Sequence, residues 1–154
     1  MMINESMMMN TMSGNQEDGK WTRNLFNKAL RNPSITRIVA LLSSNSNLLK
    51  SLDSASRQRH DANRHYLGLR TVAISQIRGS ETRTRDFDSS FHPLNERTFY
   101  RWSSVAQAHQ QGISLPPVEL IKVGEIYFVR DGHHRISVAR AFGEQFIEAE
   151  VTEW

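Results

Sequence analysis

Two short apolar runs in the last third of the chain constrain the fold more than any other feature. Residues 118–123 and 126–129 are separated only by Gly124 and Glu125. A two-residue connection with Gly in its first position is typical of a tight β-hairpin, because a type II′ turn needs positive φ there and Gly adopts it without strain. The sequence therefore predicts a pair of adjacent antiparallel strands.

The stretch after the hairpin predicts one helix and one more strand. Asp131 and Gly132 interrupt the second run, and residues 136–142 then carry apolar side chains at helical spacing before Gly143, a common helix stop. Residues 147–151 alternate apolar with acidic side chains, which is the period of a half-buried strand.

Upstream of the hairpin, the pattern predicts a strand, a long loop and a helix. Residues 71–77 are typical of a strand, and residues 78–97 show neither helical nor strand period. A helix is predicted from Phe99 to about Gly112 by apolar side chains three and four residues apart. This order of elements indicates an α+β domain over residues 68–154, not a doubly wound parallel sheet.

The first 67 residues are predicted to contain a leader and a helical region. All six methionines lie in residues 1–19, where no apolar period can be drawn, so this segment is predicted to be a disordered leader. Trp21, Leu25 and Phe26 begin a helical apolar face that ends before Pro33. Short helices are predicted near residues 35–42 and 48–52, and residues 57–70 are strongly basic.

Composition excludes several classes of function. The chain has no cysteine, which excludes disulfides, thiol catalysis and iron-sulfur ligation. No apolar run approaches the roughly 20 residues that cross a bilayer, so we expect a cytoplasmic protein without membrane contact. Of 19 basic residues, 15 are Arg, the side chain whose planar fork suits phosphate and carboxylate. Anionic partners are therefore favoured.

The junction between the second hairpin strand and the next helix is the candidate site. A helix start offers unpaired amides and the positive end of the helix dipole, and Gly132 allows close approach of a ligand. His133, His134 and Arg135 add hydrogen-bond donors, while Asp131 is suited to capping the helix, orienting an imidazole or holding Mg²⁺ beside a phosphate. The simpler alternative is a helix cap whose side chains point into solvent. Adjacent histidines on a helix diverge by about 100°, so no protein-ligated metal site is predicted.

The run Phe-Val-Arg-Asp-Gly-His-His-Arg at residues 128–135, with Ser-Val-Ala-Arg at 137–140 and the closing strand, resembles the ParB N-terminal/sulfiredoxin superfamily. The resemblance covers about half the chain and implies a small mixed sheet with helices. It also implies that the loop from Gly132 to Arg135 grips nucleotide phosphates. Arg85, followed by an aromatic at Phe87, is similar to an upstream Arg of the family, with Arg83 close by.

Departures from the family limit what the resemblance implies. His133 stands where sulfiredoxins have their reactive Cys, so reduction of a sulfinic acid is excluded. Partition proteins follow this domain with a helix-turn-helix that this sequence lacks, so contact with nucleic acid is expected to be independent of base sequence. Mg²⁺ bound with a nucleotide is the cofactor that the resemblance leaves open.

Three functions follow as hypotheses. The first is binding of nucleotide or nucleic-acid phosphates at residues 131–135, with Arg83 and Arg85. The second is a phosphotransferase or phosphodiesterase using the same loop, with His133 as the best candidate for acid or base. The third is a non-catalytic module whose N-terminal helices contact a protein partner or a second copy of the chain.

Overall fold

In the part of the chain that the structure describes, three helices pack around a six-stranded mixed sheet. The structure, a computed structural model, describes residues 5–30, 49–52 and 64–154, with backbone alone for residues 5–16. Its elements are α1 (Glu5–Ala29), β1 (Lys50–Ser51), β2 (His65–Ala73), β3 (Ile77–Ser80), α2 (Phe99–Gln110), β4 (Val118–Val123), β5 (Ile126–Asp131), α3 (His133–Ala141) and β6 (Phe146–Glu153). The predicted α+β class is confirmed.

The strand order places the candidate loop in the middle of the sheet. The order is β1-β3-β5-β4-β6-β2, with β3 parallel and β4 antiparallel to β5. Because parallel strands end at the same edge, the ends of β3 and β5 are neighbours, and Ser80 pairs in register with Val129. Residues that follow these two strands are thereby brought together.

The predicted hairpin forms as the sequence indicates. Val123 pairs with Ile126 across a two-residue turn, in which Gly124 has φ of 62°. A type II′ turn needs positive φ at its first residue and negative φ at its second, and Glu125 is not among the described residues with positive φ. The predicted helices at residues 99–112 and 136–142 and the closing strand are also confirmed.

The N-terminal helix packs onto the domain through an aromatic cluster. Phe26 of α1, Trp102 of α2 and Val138 of α3 are fully or almost fully buried together. The Trp102 indole Nε1 donates a hydrogen bond of 2.9 Å to the hydroxyl of Ser137, so its polar atom is satisfied inside the cluster. Helix α1 therefore uses its apolar face within the chain itself.

Two predictions for the segment boundaries differ from the structure. Helix α1 begins at Glu5 and includes most of the segment predicted to be a disordered leader. Met and Glu favour helix, so this stretch continues a helix whose later turns are held by packing. The helix predicted near residues 48–52 is also wrong, because Lys50–Ser51 form β1 and pair in parallel with β3. The helix predicted near residues 35–42 and the basic stretch at 57–63 lie outside the described residues.

The single strand predicted at residues 71–77 is instead the end of β2, a 3₁₀ turn at Ile74–Gln76 and the start of β3. The period of two holds only from Val72 to Ile74, because the next buried side chain, Ile77, is three residues further on. This change of spacing marks the break in the sequence.

The long loop after β3 is held in place by a buried carboxylate. Asp88 is 1% exposed, and its Oδ1 accepts hydrogen bonds from the backbone amides of Ser90 and His92. Burial alone would raise the pKa of Asp88, but the bonds from His92 and Ser90 outweigh it and lower the pKa below its ordinary value. The loop also closes on itself through a bridge between Phe87 and Pro93. Arg83 and Arg85 are therefore carried by an ordered segment.

Within the described ranges, no helix combines the length and the apolarity that a bilayer crossing needs.

Candidate functional site

The junction of β5 and α3 needs Gly132 for two separate reasons. Its φ is 102°, in the left-handed region, and a Cβ there would lie 2.5 Å from Cγ1 of Val118. No side chain caps α3, and no hydrogen bond from the amides of His133, His134 or Arg135 is found among the described residues. The helix start therefore presents backbone donors and a positive dipole end, as the sequence predicts.

Arg135 is engaged by the protein itself. Its Nη1 donates to the backbone carbonyls of Pro116 and Pro117, and its Nη2 donates to Oδ2 of Asp131. The side chain is only 15% exposed. The guanidinium joins α3 to the segment that leads into β4, so the charge expected to neutralise a ligand phosphate is already balanced internally.

His133 is buried and bonded to Ser80 at the end of β3. Its Nε2 lies 2.7 Å from the Ser80 hydroxyl oxygen. That oxygen accepts hydrogen bonds from the backbone amides of Thr82 and Arg83. A hydroxyl has two acceptor positions and one proton. Both acceptor positions are filled, so Ser80 donates to Nε2 and the imidazole is neutral with its proton on Nδ1.

The ionisation of His133 agrees with this arrangement. Burial, with the nearby charge of Arg83, lowers its pKa to about 4. The ring also lies nearly parallel to Phe87, with centroids 6.1 Å apart. His133 is thus an internal link between two strand ends rather than a side chain that points into solvent.

His134 faces the open side of the junction. Its ring meets Phe87 edge-on with centroids 5.3 Å apart. Burial and the charges of Arg83 and Arg101 lower its pKa to about 4, so it is neutral near pH 7. Its Nδ1 is buried and has no hydrogen-bond partner within the described part of the chain.

A cleft runs from the start of α3 to the start of α2. It consists of a cavity of about 340 Å³ beside residues 131–135 and a second of about 510 Å³ that reaches α2. The two cavities share Arg83, Arg101 and His134 in their linings, so they are parts of one cleft. The second cavity is also lined by Asp86, Asn95, Arg97, Thr98 and Tyr100.

The arginines of the cleft lack strong carboxylate partners. Arg83 has one, Asp86, at 3.4 Å, and within the described ranges neither Arg97 nor Arg101 forms an ion pair. Glu96, the residue before Arg97, forms its ion pair with Arg23 instead, at 2.7 Å. Positive charge is therefore concentrated beside the positive end of α3.

The structure brings together most of the predicted site residues, although in different roles. Gly132, His134 and Arg83 line the cleft, while Arg85 is exposed and lines neither of its cavities. The sequence interpretation missed Arg97 and Arg101 as site residues. Their spacing of four residues, across the start of a helix, was the available signal.

Metal ligands are sparse at this site. Asp131 is 67% exposed and uses one oxygen for Arg135, and Asp86 is occupied by Arg83 and Asn95. Over residues 5–30, 49–52 and 64–154, no group of three His, Asp or Glu side chains has a geometry that holds a metal ion.

Comparison with solved structures finds distant likenesses. Sulfiredoxin from Arabidopsis thaliana matches with 19% sequence identity and a TM-score of 0.41, over 54% of this chain and 82% of that chain. This is a distant likeness of fold. Neither the family models nor the curated proteins searched give a match.

Proposed function

We propose that the chain binds the phosphate groups of a nucleotide or nucleic acid in the cleft between α3 and α2. The observation that carries the proposal is that three guanidinium groups line one cleft beside an uncapped helix start. Arg83, Arg97 and Arg101 line the cleft, and only Arg83 has a carboxylate within ion-pair distance among the described residues. Guanidinium groups without carboxylates, beside free backbone amides, are suited to phosphate oxygens.

The residues divide into two groups by role. The amides after Gly132 and the guanidinium groups of Arg83 and Arg101 would contact the phosphate. Arg135 and Ser80 would hold the loop in the geometry that presents them, since both are bonded internally. A rigid site of this kind binds without first paying the entropy of ordering its side chains.

In this proposal, Mg²⁺ binds together with the phosphates of the ligand and not at a separate site in the protein. One oxygen of Asp131 has no hydrogen bond in the described part of the chain, and this exposed carboxylate fits a magnesium ion that is held mainly by phosphates and water. Asp131 would position such an ion beside the phosphate.

The alternative functions receive less support from the geometry. With pKa values lowered to about 4, His133 and His134 are weak bases, and near pH 7 neither is in the imidazolium form that a general acid needs. The apolar face of α1, offered above as a partner interface, is packed against α2 and α3. Binding, rather than phosphoryl transfer or docking through α1, is therefore the function that we propose.

Isothermal titration with CTP, ATP, ADP and GTP, each with Mg²⁺, tests the proposal. We expect binding by the wild type that Arg101→Ala weakens by about tenfold, since a charge-assisted bond contributes about 1.5 to 3 kcal/mol. Arg78→Ala is the matched control, because Arg78 is exposed on β3 and lines neither cavity. Absence of binding by every nucleotide and by nucleic acid, or equal loss in the control, would contradict the proposal.

A further inference from the structure

Tyr100 is an exposed aromatic side chain in the first turn of α2, beside the cleft. It is 81% exposed and lines the larger cavity together with Arg97 and Arg101. Its ring contacts that of Phe99, with centroids 5.7 Å apart. Phe99 is in turn fixed by Phe26, at 5.1 Å between centroids. The Tyr100 ring thus contacts a packed neighbour and leaves most of its surface to solvent.

Tyrosine joins a large apolar ring to a polar hydroxyl, and it is enriched at binding surfaces for that reason. The cavity that Tyr100 lines contains three arginines and no aliphatic side chain in its lining, so an apolar protein interface does not match these surroundings. A planar, partly polar group carried by an anion does match them, because the ring offers its face and the arginines offer donors.

We propose that the cleft binds single-stranded nucleic acid, with a base stacked on Tyr100 and successive phosphates on Arg97, Arg101 and the start of α3. This rests on the proposed function and names its ligand. The cationic groups are spread over two connected cavities of about 510 and 340 Å³ instead of converging on one point. Such a spread suits the repeated phosphates of a strand better than the single phosphate chain of a mononucleotide.

Stacking also selects against duplexes. Paired bases have their faces covered by neighbours in the helix, so an exposed aromatic side chain can stack only on a base that is unpaired. Since every base has a π face, the contact discriminates little among base sequences.

Fluorescence anisotropy with a fluorescein-labelled oligothymidylate of about ten nucleotides tests this inference. We expect Tyr100→Ala to weaken binding by about tenfold, the usual effect of removing one stacked base, and Tyr100→Phe to stay within about twofold of the wild type. Tyr66→Ala is the matched control, since Tyr66 is also an exposed tyrosine, at 66%, but lies on β2 and lines neither cavity.

Four results would contradict the inference in whole or in part. Equal binding by Tyr100→Ala and wild type would overturn the stacking, and equal binding of a duplex of the same length would overturn the preference for single strands. Displacement of the oligonucleotide by TTP at equal concentrations of nucleotide units would overturn the extended strand while leaving phosphate binding intact. If neither the oligonucleotide nor any nucleotide binds, the proposed function fails as well.

Discussion

The Ser80 hydroxyl donates a hydrogen bond to Nε2 of His133 across 2.7 Å, and this contact ties the end of β3 to the first residue of α3. The same hydroxyl oxygen accepts the amide of Arg83 at 2.9 Å. One buried side chain thereby sets the position of a cleft arginine relative to the helix start. The proposed phosphate site lies where two adjacent parallel strands end, a common location for ligands in sheets of this kind.

Removing this hydroxyl is expected to destabilise the fold. Ser80→Ala leaves the amides of Thr82 and Arg83 and the Nε2 of His133 without a partner in a buried setting. We expect the free energy of unfolding, from urea titration, to fall by about 1 to 3 kcal/mol. Ser103→Ala, which removes a hydroxyl bonded only to its own helix, should cost much less. Equal effects of the two substitutions would contradict the role given to Ser80.

The main role expected of Arg135 is to stabilise the fold and not to bind ligand. Arg135→Ala removes hydrogen bonds to the carbonyls of Pro116 and Pro117 and to Asp131, and Lys cannot replace their fork geometry. We expect both Arg135→Ala and Arg135→Lys to lower the free energy of unfolding by about 1 to 3 kcal/mol. A substitution to Ala that left urea unfolding unchanged would show that these bonds contribute little.

Arg135 illustrates what the sequence predicted and what it did not. The strand, Gly turn and helix that carry it follow from local patterns, because hydrophobic period and turn residues act over a few positions. The spacing to Asp131, four residues away, is visible in the sequence. The carbonyls of Pro116 and Pro117 are 19 and 18 residues away, and no local pattern indicates that they bind the guanidinium. Only the packing of α3 against the start of β4 decides this.

The same limit applies to the cleft. Arg85 was favoured because it precedes an aromatic residue, yet the turn after β3 directs Arg83 to the cleft and leaves Arg85 exposed. Arg101 comes from a separate helix, and its approach to His134 depends on how α2 packs against α3. The helix start was predictable from sequence, whereas its basic surroundings required the tertiary structure.

Gly132→Ala is expected to cost more than a change at another Gly of positive φ. Gly132 has φ of 102° and no room for a Cβ beside Val118, whereas Gly112 has φ of 68° and nothing within 4 Å. Backbone strain acts at both positions, but overpacking acts only at Gly132. We expect Gly132→Ala to lower the free energy of unfolding by at least about 1 kcal/mol more than Gly112→Ala. A smaller difference would mean that Val118 moves aside at little cost.

Stability is expected to fall between pH 6.5 and pH 4. Burial lowers the pKa of His133 and His134 from 6.5 to about 4, so in this range the unfolded chain binds more protons than the folded one. The free energy of unfolding should therefore drop as pH falls from 7 to 4.5, by at least about 2 kcal/mol in total. His134→Gln, which removes one of the two groups, should reduce the drop. Stability that stays constant over this range would show that the imidazoles ionise freely in the folded state.

Backbone NMR of ¹⁵N-labelled protein, titrated with ATP and with inorganic pyrophosphate, tests directly whether phosphate groups bind at the start of α3. We expect the largest shifts at the amides of His133, His134 and Arg135, accompanied by shifts at the side chains of Arg97 and Arg101. The same titration of Arg101→Ala should require about tenfold more ligand. Shifts that are absent, or that centre on another surface while these three amides stay unchanged, would contradict phosphate binding at the start of α3.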